Sequence, residues 1–260
     1  MVRSLPLGFA AGAVIGVLGG MIGLGGAEFR LPLLIGVFSF IALQAVILNK
    51  TMSLVVVATA LPARLAAVPF SDVTAQWPIV LNLLAGSLAG AWAGATWATK
   101  MRSATLYKVL AALLVVIAAA LVAAHLGPFA ALDLTPAVRV VAGLVAGVLI
   151  GIVAALMGVA GGELLIPTIV LLYGIDIKLA GSLSLAVSLP TMLVAFARYS
   201  QDASFQILRT NKTFVLVMSA GSITGTLIGG ALLGVFPSAV IIPLLVILLL
   251  ASALKVWRHQ

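Results

Sequence analysis

Glutamate occurs twice in this chain, at Glu28 and Glu163, and each follows a run of glycine and precedes a proline. The first run reads Gly23-Leu24-Gly25-Gly26-Ala27-Glu28 with Pro32 beyond it, and the second reads Gly158-Val159-Ala160-Gly161-Gly162-Glu163 with Pro167. Consecutive glycines gain conformational freedom outside a helix and so interrupt one. A proline a few residues on is compatible with a new helix starting there. The backbone amides at such a break, joined to a helix N-terminus, form a nest that favours an anion. A carboxyl group beside the nest can carry a proton, donate a hydrogen bond while neutral, or cap the broken helix. The candidate substrate-binding residues are therefore Gly25, Gly26, Ala27 and Glu28 in the first copy and Gly161, Gly162 and Glu163 in the second. Glu28 and Glu163 are also the candidates for proton coupling. The competing explanation is that the glycines only let helices pack closely.

Small polar side chains follow each run. Asn49, Lys50, Thr51 and Ser53 come after the first, and Ser182 and Ser184 after the second. Their amide, ammonium and hydroxyl groups suit an oxyanion, although hydroxyls and amides also cap helices and bond across helix interfaces. Arg30 is placed to pair with a glutamate, while Leu165 occupies the equivalent position in the second copy. Arg64 and Arg198 lie near the ends of apolar segments, where snorkelling accounts for them. Trp77, Trp92, Trp97 and Trp257 suit membrane interfaces or packing.

The surrounding chain is too apolar for a soluble domain. Of 260 residues, 63% are hydrophobic and only 8% charged, and the mean hydropathy is +1.32. A soluble domain keeps about a quarter of its residues charged. The net charge of +8 comes largely from basic residues at segment ends, such as Lys100, Arg102, Lys108, Arg209, Lys212, Lys255 and Arg258. That distribution matches the positive-inside rule better than nucleic-acid binding. Cysteine is absent, which excludes disulfides and thiolate metal sites. There is no G-x-x-x-x-G-K-[ST] for ATP hydrolysis. His125 and His259 have no second histidine at ligand spacing, and no intramembrane protease set is present. The reading is a non-enzyme with no cofactor and no resident metal. Arg3 ahead of an apolar stretch imitates a signal peptide, but its glycine-rich continuation recurs later, so it is read as structure.

That recurrence organises the whole chain. One interval separates Gly8 from Gly143, Gly12 from Gly147, Gly16 from Gly151, Gly26 from Gly161, Glu28 from Glu163 and Pro32 from Pro167. It shortens where Thr51-Met52-Ser53-Leu54 matches Ser182-Leu183-Ser184-Leu185. It then returns for Ala85-Gly86-Ser87, Gly90 and Gly94 against Ala220-Gly221-Ser222, Gly225 and Gly229. The chain is therefore read as a single all-α membrane domain, 1–260, with a first repeat over 1–130 and a second over 131–260. The first repeat has segments at Leu7–Gly26, Phe29–Ala45, Thr51–Val68, Trp77–Thr99 and Thr105–Ala124. The second has them at Ala137–Met157, Leu164–Tyr173, Leu179–Arg198, Thr213–Gly234 and Ala239–Trp257. This gives about 8–10 membrane segments, with Phe29–Ala45 and Leu164–Tyr173 either spanning or re-entering.

Charge orients the segments. Lys100, Arg102 and Lys108 place one loop in the cytoplasm, while Phe70 to Gln76 carries Asp72 and no base and faces outside. Its equivalent, Tyr199 to Asn211, contains Arg209 and faces inside, and the uncharged loop at Val235 to Ser238 faces outside. Equivalent loops thus fall on opposite sides, the mark of an inverted-topology repeat with both termini cytoplasmic.

In these residues the chain resembles the TauE/SafE family of membrane permeases, often called sulfite exporters. The resemblance rests on the G-x-G-G-x-x-x-x-x-P pattern from Gly23 to Pro32 and its copy from Gly158 to Pro167. It also rests on Asn49-Lys50 opening the next helix and on the duplicated layout, and it covers essentially the whole chain. The chain departs from the usual triple glycine at Ala27 and Ala160, and glutamate follows where the family often has an apolar residue. The resemblance implies a permease of the bacterial inner membrane carrying sulfite, sulfonates or related sulfur oxyanions by a secondary process. Alternating access around the paired breaks, coupling to a proton or sodium, and homo-oligomerisation are compatible with it. The alternatives are a permease for small organic carboxylates and a non-transporting assembly or sensor protein.

Overall fold

The computed structural model describes residues 4–21, 26–67, 70–126, 132–232 and 238–258. Gly23, Gly25, His259, Arg3 and most of the loop before Ser238 lie outside them, as do the side chains of Arg64 and His125. The described chain forms helices α1 (Leu5–Met21), α2 (Ala27–Gly36), α3 (Ala42–Ala67), α4 (Phe70–Ala75), α5 (Trp77–Lys100) and α6 (Ser103–Leu126). It continues as α7 (Pro136–Met157), α8 (Gly162–Tyr173), α9 (Ile177–Tyr199), α10 (Gln206–Thr210), α11 (Lys212–Ala231) and α12 (Ser238–Trp257). No strand occurs among the described residues. Lipid offers no partner to a backbone amide or carbonyl, so a spanning segment must satisfy both within its own helix.

Six of these helices are long and apolar enough to cross a membrane: Ala42–Thr59 within α3, then α5, α6, α7, α9 and α11. Leu5–Met21 and Pro243–Trp257 are shorter apolar helices. Large apolar side chains point outward, with Leu216, Leu227 and Ile247 each about two-thirds exposed, as suits a lipid-facing surface. The chain is an all-α, multi-pass membrane protein.

Length decides how the two short segments behave. At 1.5 Å per residue, the 10 residues of α2 and the 12 of α8 reach roughly 15 and 18 Å. A hydrocarbon core is about 30 Å thick. Neither helix can span it, so α1–α2 and α7–α8 are hairpins with short returning limbs. This corrects the expectation of a segment running from Phe29 to Ala45. The helix ends at Gly36, and the chain turns through Ser39 at φ 55, in the left-handed region. α3 then starts at Ala42. Asn49 and Lys50 consequently sit two turns inside α3 instead of opening it, because Ala42-Leu43-Gln44-Ala45 are sound helix formers.

The hairpins are locked by glycine. α1 packs along α11, and α5 along α7. A Cβ added at Gly12 would strike Met218 O and Ser222 N, and one at Gly16 would strike Ser222 O and Thr226 N. In the other pair, a Cβ at Gly147 would strike Leu83 O and Ser87 N, and one at Gly151 would strike Ser87 O and Ala91 N. Each of these contacts in one interface has its counterpart in the other at the interval that relates the two glutamates. The backbones approach this closely only because no side chain intervenes. α3 packs on α9 and α6 on α12, enclosing a core that includes Leu31, Leu34, Ile35, Ile47, Leu48 and Met52.

Candidate functional site

The two breaks have the same local geometry. Gly26 (φ 71) precedes α2 and Gly161 (φ 85) precedes α8, both in the left-handed conformation that a side chain disfavours. Gly26 O accepts from Phe29 N and Arg30 N at 3.2 and 3.3 Å, and Gly161 O accepts from Leu164 N and Leu165 N at 3.1 and 3.0 Å. Neither helix start receives a side-chain cap. Each first-turn glutamate carboxyl instead turns back to its own backbone amide, so a carboxyl from inside the helix, and no N-cap side chain, faces each helix start.

Each break carries its glutamate in the first helical turn, and the two carboxyl groups lie close enough to interact electrostatically. Glu28 is almost wholly buried, and its carboxyl is turned to its own backbone amide and to Glu163. Glu163 is half-buried, with Oε2 buried and unpartnered. Of the candidates at the breaks, Glu28 and Glu163 are the two that the fold brings within electrostatic reach of each other. Gly25 lies outside the described residues.

α3 supplies the polar side chains that fasten the breaks together. Asn49 Nδ2 donates to Ala27 O in the first hairpin and Met157 O in the second, both at 3.0 Å. Lys50 Nζ donates to Ala154 O at 2.9 Å and Val159 O at 2.6 Å, placing its charge at the C-terminal end of α7, where the helix dipole favours it. Ser53 Oγ donates to Gly158 O at 3.2 Å. Lys50 and Glu163 also interact through their charges.

The remaining candidates divide. Thr51 Oγ1 and Ser184 Oγ donate to Ile47 O and Gly181 O of their own helices, at 2.9 Å each. Ser182 Oγ is buried without a partner, and Ser184 faces Gly162 across the second break. Arg198 is more than a snorkelling residue. Its Nε donates to Thr96 Oγ1 at 2.9 Å, and its guanidinium lies 5.9 Å from the Trp92 ring centre.

Two features escaped the sequence reading. Arg30, considered there only as a partner for glutamate, is fully buried, and one of its nitrogens reaches Ser53 Oγ at 3.5 Å. Its position in the middle of an apolar stretch was the available signal. Tyr199, buried and donating to Ala155 O at 3.0 Å, gave none, since an aromatic residue at a segment end usually marks the interface.

The site therefore gathers the carboxyl groups of Glu28 and Glu163 with the side chains of Arg30 and Lys50 beside two helix starts, inside a multi-pass bundle. The sequence model of the family described as "Sulfite exporter TauE/SafE" matches residues 8–256. No curated protein and no solved structure matches the chain. The match runs across both hairpins and nearly from end to end, and the chain belongs to the sulfite exporter TauE/SafE family, whose members are membrane transporters and not enzymes.

Proposed function

We propose that this chain is a secondary transporter of a small sulfur oxyanion, sulfite or a sulfonate, working by alternating access between its two hairpins. The observation that carries this reading is the interaction of Glu28 and Glu163, each in the first turn of a helix without an N-cap side chain, with Arg30 near Glu28 and Lys50 near Glu163. Ionisable groups at membrane depth are costly and accompany a transport pathway. Broken helices whose N-termini face one another are the usual means of holding an anion there. The partial exposure of Gly162 and Glu163, against the burial of Ala27, Glu28 and Arg30, supports a site open on the side of the second hairpin.

The two halves form an inverted repeat in this proposal, over 1–130 and 131–260, with both termini in the cytoplasm and the bundle in a bacterial inner membrane. The matched glycine contacts of α1 with α11 and of α5 with α7 support the duplication, and the loop charges support the inversion. Glu28 and Glu163 couple the anion to protons. Two carboxyls sharing a dry site do not both ionise readily, so a proton enters or leaves as the charge of the site changes.

The test is flux of labelled sulfite into proteoliposomes under imposed proton or sodium gradients. The proposal predicts uptake that follows the proton gradient. Glu28→Gln and Glu163→Gln should slow it about tenfold or more and remove its response to the gradient. Wild-type protein that moves neither sulfite nor any sulfonate would refute it.

A further inference from the structure

We infer that Arg30 is the fixed positive partner of the transported anion, contributed by the first half of the chain alone. This rests on the transport reading above. An arginine keeps its charge at all ordinary pH values and offers five N–H donors. Burying such a charge without an acceptor is expensive. Arg30 has no exposed surface, yet Nε and Nη1 have no hydrogen-bond partner. Nη2 makes one long contact, with Ser53 Oγ at 3.5 Å.

The groups around Arg30 leave those donors free. On its own helix, Glu28 is near enough for the charges to interact, but its carboxyl is turned to its own backbone amide and to Glu163 of α8. From α3, Lys50 has the same sign and is committed to Ala154 O and Val159 O. From α12, Lys255 lays its stem over Gly36 at the far end of α2. The donors thus await an acceptor that enters the site. Ser53 joins Arg30 to the second hairpin, because its hydroxyl also donates to Gly158 O. An anion held by Arg30 would therefore be sensed at both breaks.

Two features of the ligand follow. Leu165 stands where a second arginine would be, so each chain holds one anion. A head group with several oxygens, as in sulfite or a sulfonate, satisfies several guanidinium donors at once, whereas a halide satisfies them poorly.

Calorimetric titration of the full-length chain in detergent with sulfite, and with chloride as competitor, tests the assignment. Arg30→Gln is predicted to raise the Kd for sulfite about 30-fold or more, with Arg30→Lys between it and wild type because a point charge replaces a planar fork. Lys255→Met serves as the control and keeps the wild-type Kd. An Arg30→Gln protein that binds sulfite as tightly as wild type overturns the inference while leaving transport standing. If Arg30→Gln does not fold, Arg30→Lys decides. An unchanged Kd and an unchanged preference for sulfite over chloride overturn the inference, and a tenfold weaker Kd supports it. Wild-type protein that binds no sulfur oxyanion removes the transport reading itself.

Discussion

Asn49 is the residue on which the two hairpins depend most directly. One side-chain nitrogen donates to Ala27 O in the first turn of α2 and to Met157 O, a carbonyl at the C-terminal end of α7 that has no intrahelical partner. A buried carbonyl deprived of its donor costs about 1–3 kcal/mol. Asn49→Leu should therefore destabilise the protein by about that amount, read as a lower midpoint in thermal unfolding in detergent. Thr51→Val, two residues on, removes a hydroxyl that bonds only to its own helix, and its effect should stay within about 0.5 kcal/mol. Equal losses at the two positions would mean that Asn49 is ordinary packing. The difference was invisible in sequence, where both were small polar residues after a glycine run. The bond from Asn49 to Met157 joins distant parts of the chain, and no local pattern encodes it.

Helices α1, α5, α7 and α11 show how glycine spacing becomes geometry. The four-residue glycine pattern announced close packing, and the structure assigns it to two pairs, α1 with α11 and α5 with α7. Gly16→Val and Gly151→Val should each cost about 1–3 kcal/mol or prevent folding, since the new atoms meet backbone that cannot move aside. Gly230→Ala meets nothing within 4 Å and should be neutral. Expression yield and thermal midpoint in detergent distinguish these cases, and a tolerated valine at both interface positions would contradict the packing. The end of α2 was misjudged for a physical reason. Val37-Phe38-Ser39-Phe40-Ile41 contains neither glycine nor proline and is as apolar as the helix before it. Gly36 was the available sign of a helix end, while the turn itself depends on Ser39 adopting a left-handed backbone.

At the scale of the molecule, the two breaks were legible because they are written in residue identity: two glutamates, two prolines and glycines at one interval. Arg30 shows the complementary case. Its presence was plain, but its lack of a partner depends on where α3 and α8 place Lys50 and Glu163. The absence of cysteine makes sidedness easy to measure with single introduced thiols. Ser71, in the short helix α4, and Gln201, in the turn after α9, are exposed and fall in the segments that the proposed repeat pairs, so Ser71→Cys and Gln201→Cys are the thiols to introduce. An inverted repeat predicts that an impermeant maleimide labels them from opposite faces of the membrane, and labelling from the same face would exclude it.

The same approach reaches the site itself. A side chain at Gly162 would find open space, with Ser184 Oγ at 4.0 Å as its nearest neighbour, so Gly162→Cys places a thiol beside the paired breaks with little disturbance. In oriented proteoliposomes, an impermeant thiol reagent should modify this residue from either side of the bilayer, and sulfite should slow both reactions. A thiol reached from one face only, or modified at the same rate with and without sulfite, would contradict a shared anion site that opens alternately to the two sides.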